Sequence, residues 1–315
     1  MEKSILYLII YNFLIYSLTN VINQTIHSIP LKKGAKNFCE YRNPGTFNNI
    51  TNQFSFFEQC IDCDYDHAMA LNRGEREKDR YSDIKSYNHN IVNITTGSKY
   101  INASPINIIN NKYFISTQGP KKETIEDFWR MVWEHGSNII VMLCNQEEGG
   151  REKCAKYWDE KNVKTHNTIK IENRTKENEY IIREITLSDN LSQEKRTVFQ
   201  VHFIGWPDHG VPDTRDGKIF EVFINIIKFV DEKKGNGPIV VHCSAGVGRT
   251  GTFISMYYLE KEIKKQIENK VDVIKFSIFN LVRKLKEMRL YLVQTESQYR
   301  FIYEFVKYLL EKENV

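Results

Sequence analysis

The stretch Gly237-Pro238-Ile239-Val240-Val241-His242-Cys243-Ser244-Ala245-Gly246-Val247-Gly248-Arg249-Thr250-Gly251 decides how this 315-residue chain is read. Ile239–Val241 is a short apolar run entered through a Gly-Pro break, the pattern of a buried strand. It passes into a loop of small residues, and then into a helical pattern carrying Phe253, Ile254, Tyr257 and Tyr258. Strand, loop and helix N-terminus in that order make an anion cradle. Gly246 and Gly248 tolerate the dihedrals that turn successive N–H groups inward, and the helix dipole adds positive potential.

Outward from this unit the elements alternate in type. Tyr113–Thr117, Asn138–Leu143, Thr197–Ile204 and Ile239–His242 are rich in β-branched or aromatic residues and read as strands. Helical spacing appears at Ile125, Phe128, Trp129, Val132 and Trp133, and again from Ile219 to Val230. It returns at Phe279, Val282, Leu285 and Met288, and at Tyr299, Ile302, Phe305, Val306 and Leu309. Interleaved strands and helices predict an α/β domain around one central sheet. No Pro/Gly/Ser-rich break or internal repeat interrupts the chain after Phe54, so residues 51–315 read as one domain.

With 41% hydrophobic and 12% aromatic residues the chain has material for a sizeable core, which argues against global disorder. The 44 basic and 40 acidic residues leave a net charge of +4, not gathered into a stripe, so no nucleic-acid partner is expected. The six cysteines are too scattered for a disulfide scaffold. Cys60 and Cys63 form a C-x-x-C with no second pair to complete a zinc site, and no metal or cofactor is expected. Cys144 and Cys154 read as buried free thiols.

Cys243 stands at the entrance of the cradle and Arg249 at the helix start, with five residues between them. N–H groups, dipole and guanidinium together favour a thiolate. The planar fork of Arg249 can hold two oxygens of a tetrahedral dianion, and a thiolate beneath that dianion is poised for in-line attack.

His-Cys-Ser-Ala-Gly-Val-Gly-Arg-Thr-Gly resembles the signature loop of the protein tyrosine phosphatases. The resemblance implies a single domain with a central twisted mixed β-sheet flanked by α-helices. It also implies hydrolysis of phosphotyrosine in proteins through a phosphocysteine on Cys243. In those terms Ser244, Ala245, Gly246, Val247, Gly248 and Arg249 bind the phosphoryl group. Thr250 assists hydrolysis of the intermediate, and His242 orders the loop and tunes the thiol.

Further segments are similar to motifs of the same family. Trp206-Pro207-Asp208 resembles the mobile loop that carries the general acid, Asp208. Lys78-Asp79-Arg80-Tyr81-Ser82-Asp83-Ile84 resembles the phosphotyrosine-recognition loop. Tyr81 would stack on the substrate ring and deepen the pocket, Asp83 would grip substrate N–H groups, and Asp79 in place of the usual Asn is expected to weaken the packing of that loop. Gln294-Thr295-Glu296-Ser297-Gln298-Tyr299 resembles the glutamine loop, with Gln294 positioning water, Gln298 auxiliary and Arg289 upstream at the family spacing. In Glu148-Gly149-Gly150-Arg151-Glu152-Lys153-Cys154 the resemblance has Glu148 orient Arg249 and Lys153 contact the acid loop. Tyr100–Ser104, the site of the Asn102 sequon, matches a framework motif, which makes Asn102 a poor glycosylation candidate. Two rivals stay open: a catalytically weak phosphotyrosine-binding pseudophosphatase and a dual-specificity phosphatase.

The first residues pose a separate question. Ser4–Leu31 contains no Lys, Arg, Asp or Glu, and Ile5–Leu18 is strongly apolar behind Lys3. Residues 1–23 are expected to be a secretory signal peptide, so that the protein is secreted, with a membrane anchor, or a docking segment of a cytoplasmic protein, as alternatives. Residues 24–50 read as a polar arm. The expected partners are phosphotyrosine-containing proteins, with transient membrane association through the N-terminal segment, and a monomer is expected.

Overall fold

A computed structural model describes residues 50–58, 76–95, 99–108, 112–162, 167–176, 179–190 and 192–314. The expectations for residues 1–23, for the arm short of residue 50 and for Cys39, Cys60 and Cys63 lie outside the described residues.

Residues 50–58 are helical (α1). There follow β1 (Ala103–Ile108), β2 (Lys112–Thr117), α2 (Ile125–Glu134), β3 (Ile139–Met142), and the short pair β4 (Glu147–Glu148) and β5 (Arg151–Glu152). Next come β6 (Asn167–Lys176), β7 (Tyr180–Asp189), β8 (Lys195–Phe203), α3 (Lys218–Lys233) and β9 (Ile239–His242). The helices α4 (Gly248–Glu268), α5 (Ile278–Met288) and α6 (Glu296–Lys312) complete the described chain. The large sheet runs β1-β2-β9-β3-β8-β7-β6. Its centre is parallel and its two flanks antiparallel, a mixed sheet with helices packed against it, as expected.

Strand burial follows position. Every residue of β3 and β9 is buried, as parallel strands covered on both faces require. In β7 buried and half-buried residues alternate, the mark of an antiparallel strand covered more on one face than the other. The β6–β7 hairpin is not among the strands singled out by sequence, because its polar residues dilute the apolar run that flags a buried strand.

The register sets the location of the site. His242 pairs with Thr117 on one side and Met142 on the other, so β2, β3 and β9 end level with one another. Cys243 therefore leaves the sheet at the carboxyl edge of its parallel strands, where open α/β sheets place their ligands. The segments after Thr117 and Met142 emerge beside it.

Two glycines allow the loop and helix to close on their neighbours. Gly246 has φ +71°, and a Cβ there would lie 2.1 Å from the Thr117 carbonyl. At Gly251 a Cβ would meet the Val293 nitrogen at 2.4 Å, so only glycine lets the chain leading to Gln294 cross the start of α4. Ile50, assigned by sequence to the arm, is helical and buried, and Phe57 stacks on Phe279 with centroids 4.9 Å apart. No helix among the described residues is long and apolar enough to cross a membrane.

Candidate active site

A cavity of about 400 Å³ opens over the end of β9. Cys243, Ser244, Ala245, Gly248 and Arg249 line it together with Tyr81, Asp83, Glu148, Lys153, Asp208, Gln294 and Gln298. Segments separated by more than two hundred residues in sequence thus meet at one thiol.

The loop is held from outside by its carbonyls. Ser244 O accepts from Gly119 N–H (2.9 Å), and Ala245 O from Arg289 Nη2 (3.2 Å). Gly246 O accepts from Ser116 Oγ (2.8 Å) and Arg289 Nε (3.0 Å), and Val247 O from the N–H groups of Gly251 and Val293. With every carbonyl from Ser244 to Val247 engaged, the amides are the polar backbone groups left to face an anion. Gly246 N–H already points at Cys243 Sγ, 3.3 Å away.

Arg289 is fully buried, and its side chain does much of this tethering. It also donates to Asn102 Oδ1 (2.7 Å), whose amide donates onward to Asp79 Oδ1 (2.8 Å) and Ile84 O (2.7 Å). Tyr100 donates to the same Asp79 oxygen at 2.5 Å. The expectation that Asp79 weakens this loop is therefore corrected, since its carboxylate accepts two hydrogen bonds and places a negative charge near a buried guanidinium. Asn102 is 1% exposed with both ends of its amide bonded, which leaves no room for a glycan in the folded chain.

Arg249 is gripped on its outer side. Glu148 takes Nη1 at 2.7 Å and Nη2 at 2.8 Å, while Nη1 also reaches Leu143 O and Nη2 reaches Pro207 O, each at 3.2 Å. Burial alone would raise the Glu148 carboxyl, but the Arg249 guanidinium and the Asn145 N–H outweigh it and hold its pKa below the ordinary glutamate value. The link to Pro207 ties the Trp206-Pro207-Asp208 loop to the signature loop. Trp206 anchors that segment in the core against Phe203, Phe223 and Phe301. Asp208 itself sits at the cavity wall, close enough to the tight turn at Gly149 that a Cβ there would lie 3.0 Å from its Oδ2.

Tyr81 is fixed by a proton count. Ser244 Oγ donates its single hydrogen to Lys153 O (2.9 Å), so in the 2.8 Å contact with Tyr81 it is the tyrosine that donates. Arg80 braces the same segment by donating to Gly119 O (3.0 Å) and Pro120 O (2.8 Å). Asp83 is exposed at the mouth. Gln298 spends its Oε1 on the N–H groups of Gln294 and Thr295, capping α6 and shaping the turn on which Gln294 stands. Lys153 and Asp208 line the same cavity.

Thr250 Oγ1 is buried, with no hydrogen-bond partner among the described residues. His242 is completely buried, and burial pushes its imidazole down to about 3, so it is neutral. Cys144 and Cys154 are buried free thiols, as expected, and burial raises Cys144. Sequence reasoning gives Tyr157, Ser116 and Gln118 no site role, because their part lies in long-range hydrogen bonds: Tyr157 to His242, Ser116 to Gly246 O, and Gln118 to Arg80 N–H and Lys78 O. Among the described residues no group of three His, Cys, Asp or Glu side chains is arranged to hold a metal ion.

The comparisons agree with this geometry. The family model for "Protein-tyrosine phosphatase" matches residues 75–308. The chain is 40% identical over 226 residues to tyrosine-protein phosphatase 2 of Dictyostelium discoideum, covering 70% of this chain and 58% of that protein. It is 36% identical over 270 residues to tyrosine-protein phosphatase non-receptor type 20 of Rattus norvegicus, covering 84% of this chain and 61% of that one. The match thus spans less than two thirds of either relative. The solved catalytic domain of human protein tyrosine phosphatase non-receptor type 18 superposes with a TM-score of 0.72 at 29% identity, covering 82% of this chain and 96% of that domain. The strand–loop–helix cradle around Cys243, the gripped Arg249 and the matched span give one answer: the chain belongs to the protein-tyrosine phosphatase family.

Proposed function

We propose that this protein hydrolyses phosphotyrosine in proteins through a phosphocysteine intermediate. The observation that carries the reading is one cavity lined by Cys243, Arg249, Asp208 and Tyr81 together. In the first step the Cys243 thiolate attacks phosphorus, the P–O bond to the tyrosine ring breaks, and Asp208 gives its proton to the departing phenolate. General acid catalysis of this kind contributes roughly 10²–10⁴-fold. In the second step a water oriented by Gln294 attacks phosphorus, its proton passes to Asp208, and the P–S bond breaks to return the thiolate. Thr250 Oγ1, buried and with no hydrogen-bond partner among the described residues, is the hydroxyl that would assist this step. The loop amides and Arg249 meet the charge that grows on the equatorial oxygens.

Substrate depth favours tyrosine. Tyr81, bonded to Ser244, walls the approach to Cys243, so that a phosphorylated ring reaches the thiol and a shorter phosphoserine does not. Asp83 at the mouth would take N–H groups of the substrate backbone. A neighbouring solved structure described as PTPN18 in complex with HER2-pY1196 phospho-peptides, 29% identical, supports peptide substrates of this class.

The test is turnover of an aryl phosphate in chelator. Wild-type protein is expected to release phosphate and Cys243→Ser to release none. Activity abolished by chelator but retained in Cys243→Ser would sink the mechanism. Equal rates on phosphoserine and phosphotyrosine peptides would point to dual specificity, and binding without turnover to a pseudophosphatase. For residues 1–23 the uncharged Ser4–Leu31 stretch supports an export signal, which N-terminal sequencing of the mature protein tests.

A further inference from the structure

Behind the signature loop a file of buried hydrogen bonds crosses the sheet. Arg183 Nη1 on β7 lies 2.7 Å from Gln200 Oε1 on β8, and Gln200 Nε2 lies 2.6 Å from the Tyr157 hydroxyl. That hydroxyl lies 2.8 Å from His242 Nε2, and His242 Nδ1 lies 3.1 Å from the carbonyl of Cys243.

Glutamine, tyrosine and histidine can each take part in such a file in either direction. Arginine cannot, because its guanidinium only donates. Gln200 must therefore turn its carbonyl to Arg183, since the opposite amide orientation would set N–H against N–H. Its NH2 then faces Tyr157, whose oxygen accepts. The one hydroxyl proton of Tyr157 goes to His242 Nε2 at 2.8 Å in preference to Met142 Sδ at 3.9 Å. An imidazole that accepts at Nε2 and is kept neutral by burial carries its hydrogen on Nδ1, facing the Cys243 carbonyl.

We infer that Arg183, acting through Gln200 and Tyr157, is a positioning residue that fixes the tautomer of His242 and so pins the backbone of Cys243. The inference rests on Cys243 as nucleophile. With the file reversed, a lone pair on Nδ1 would oppose the Cys243 carbonyl oxygen, and the residue carrying the thiol would lose that bond. Arg183 is 6% exposed, and its guanidinium lies 4.7 Å from the ring of Trp158, which keeps this donor in place.

The experiment is nitrogen-15 NMR of the histidine side chains in the full chain, with the His242 signal assigned by its loss in His242→Ala. Wild-type protein is expected to show the neutral Nδ1–H tautomer. Gln200→Glu offers a carboxylate that only accepts, from Arg183 and Tyr157 alike. His242 must then donate through Nε2, and kcat for an aryl phosphate should fall by about tenfold or more, with KM changed by less than about twofold. Arg183→Met should lose kcat in the same way, while Arg183→Lys, still a pure donor, should recover kcat relative to Arg183→Met and keep the wild-type tautomer.

An Nε2–H tautomer in wild-type protein overturns the inference whatever the variants do. So does a Gln200→Glu protein that flips tautomer yet keeps kcat, or one that loses kcat with the tautomer unchanged. Failure of the phosphatase reading is read separately, as wild-type protein that does not turn over aryl phosphate.

Discussion

Each terminal nitrogen of Arg249 holds a different carboxylate oxygen of Glu148, at 2.7 and 2.8 Å, across 101 residues of sequence. With Leu143 O and Pro207 O on the same two nitrogens at 3.2 Å each, the guanidinium has its terminal hydrogens engaged by the protein. Its orientation toward the thiol is set before any substrate arrives.

Glu148→Gln should test that grip. Loss of a charge-assisted pair of about 1.5–3 kcal/mol predicts a fall in kcat/KM of roughly ten- to a hundredfold. The same variant has a pH signature. The folded pKa of Glu148 lies below its unfolded value near 4.5, so its stabilisation is present above that pH and is lost as pH falls through the folded value. Melting curves below about pH 4.5 should therefore fall more steeply for wild type than for Glu148→Gln.

Asp208→Ala removes the proposed proton donor and leaves the Glu148–Arg249 grip intact. Turnover of phosphotyrosine peptide should drop by about 10²–10⁴-fold while the peptide still binds. Calorimetric titration of the variant checks the second half. Full activity in this variant would remove Asp208 from the mechanism.

Tyr81 separates depth from anchoring. Tyr81→Phe loses only the hydrogen bond to Ser244 and should cost about 0.5–1.5 kcal/mol in kcat/KM. Tyr81→Ala removes the wall itself and should narrow the preference for phosphotyrosine over phosphoserine peptides. The ratio of the two rates is the measurement.

Lys286 carries a buried ammonium whose pKa burial pushes down to about 7, with Nζ donating to Val293 O at 2.9 Å. Between that value and 10.5 the unfolded chain binds a proton that the folded chain does not, so stability from this residue rises with pH across the window. Lys286→Met abolishes the dependence. Denaturant unfolding at pH 7 and pH 9 should show wild type gaining on Lys286→Met by about 1 kcal/mol or more.

Much of the site is legible without coordinates. The spacing of Cys243 and Arg249, set between a buried strand and a helix start, is local chemistry. The β-branched runs place β2, β3, β8 and β9 to within two residues, while helical periodicity finds the flanking helices but not their full length. The β6–β7 hairpin is not legible, because its polar residues look like loop until the sheet supplies their partners. Asp79 is misjudged for a related reason. A change of Asn to Asp reads as a loss until Tyr100 and Asn102 are seen to converge on it.

The linear chain determined the cradle and the Cys243–Arg249 spacing on which the proposed nucleophile and phosphate clamp rest, because each depends on neighbours a few residues away. Tertiary structure decided the bonds that hold them: Glu148 on Arg249, which the family resemblance anticipates, Arg289 on the loop carbonyls, and the donor Arg183 at the head of the file that ends on Cys243. The physical reason is that a carboxylate or guanidinium can pair with any opposite partner in the chain. Only the level ends of β2, β3 and β9 bring the right ones within reach of the thiol.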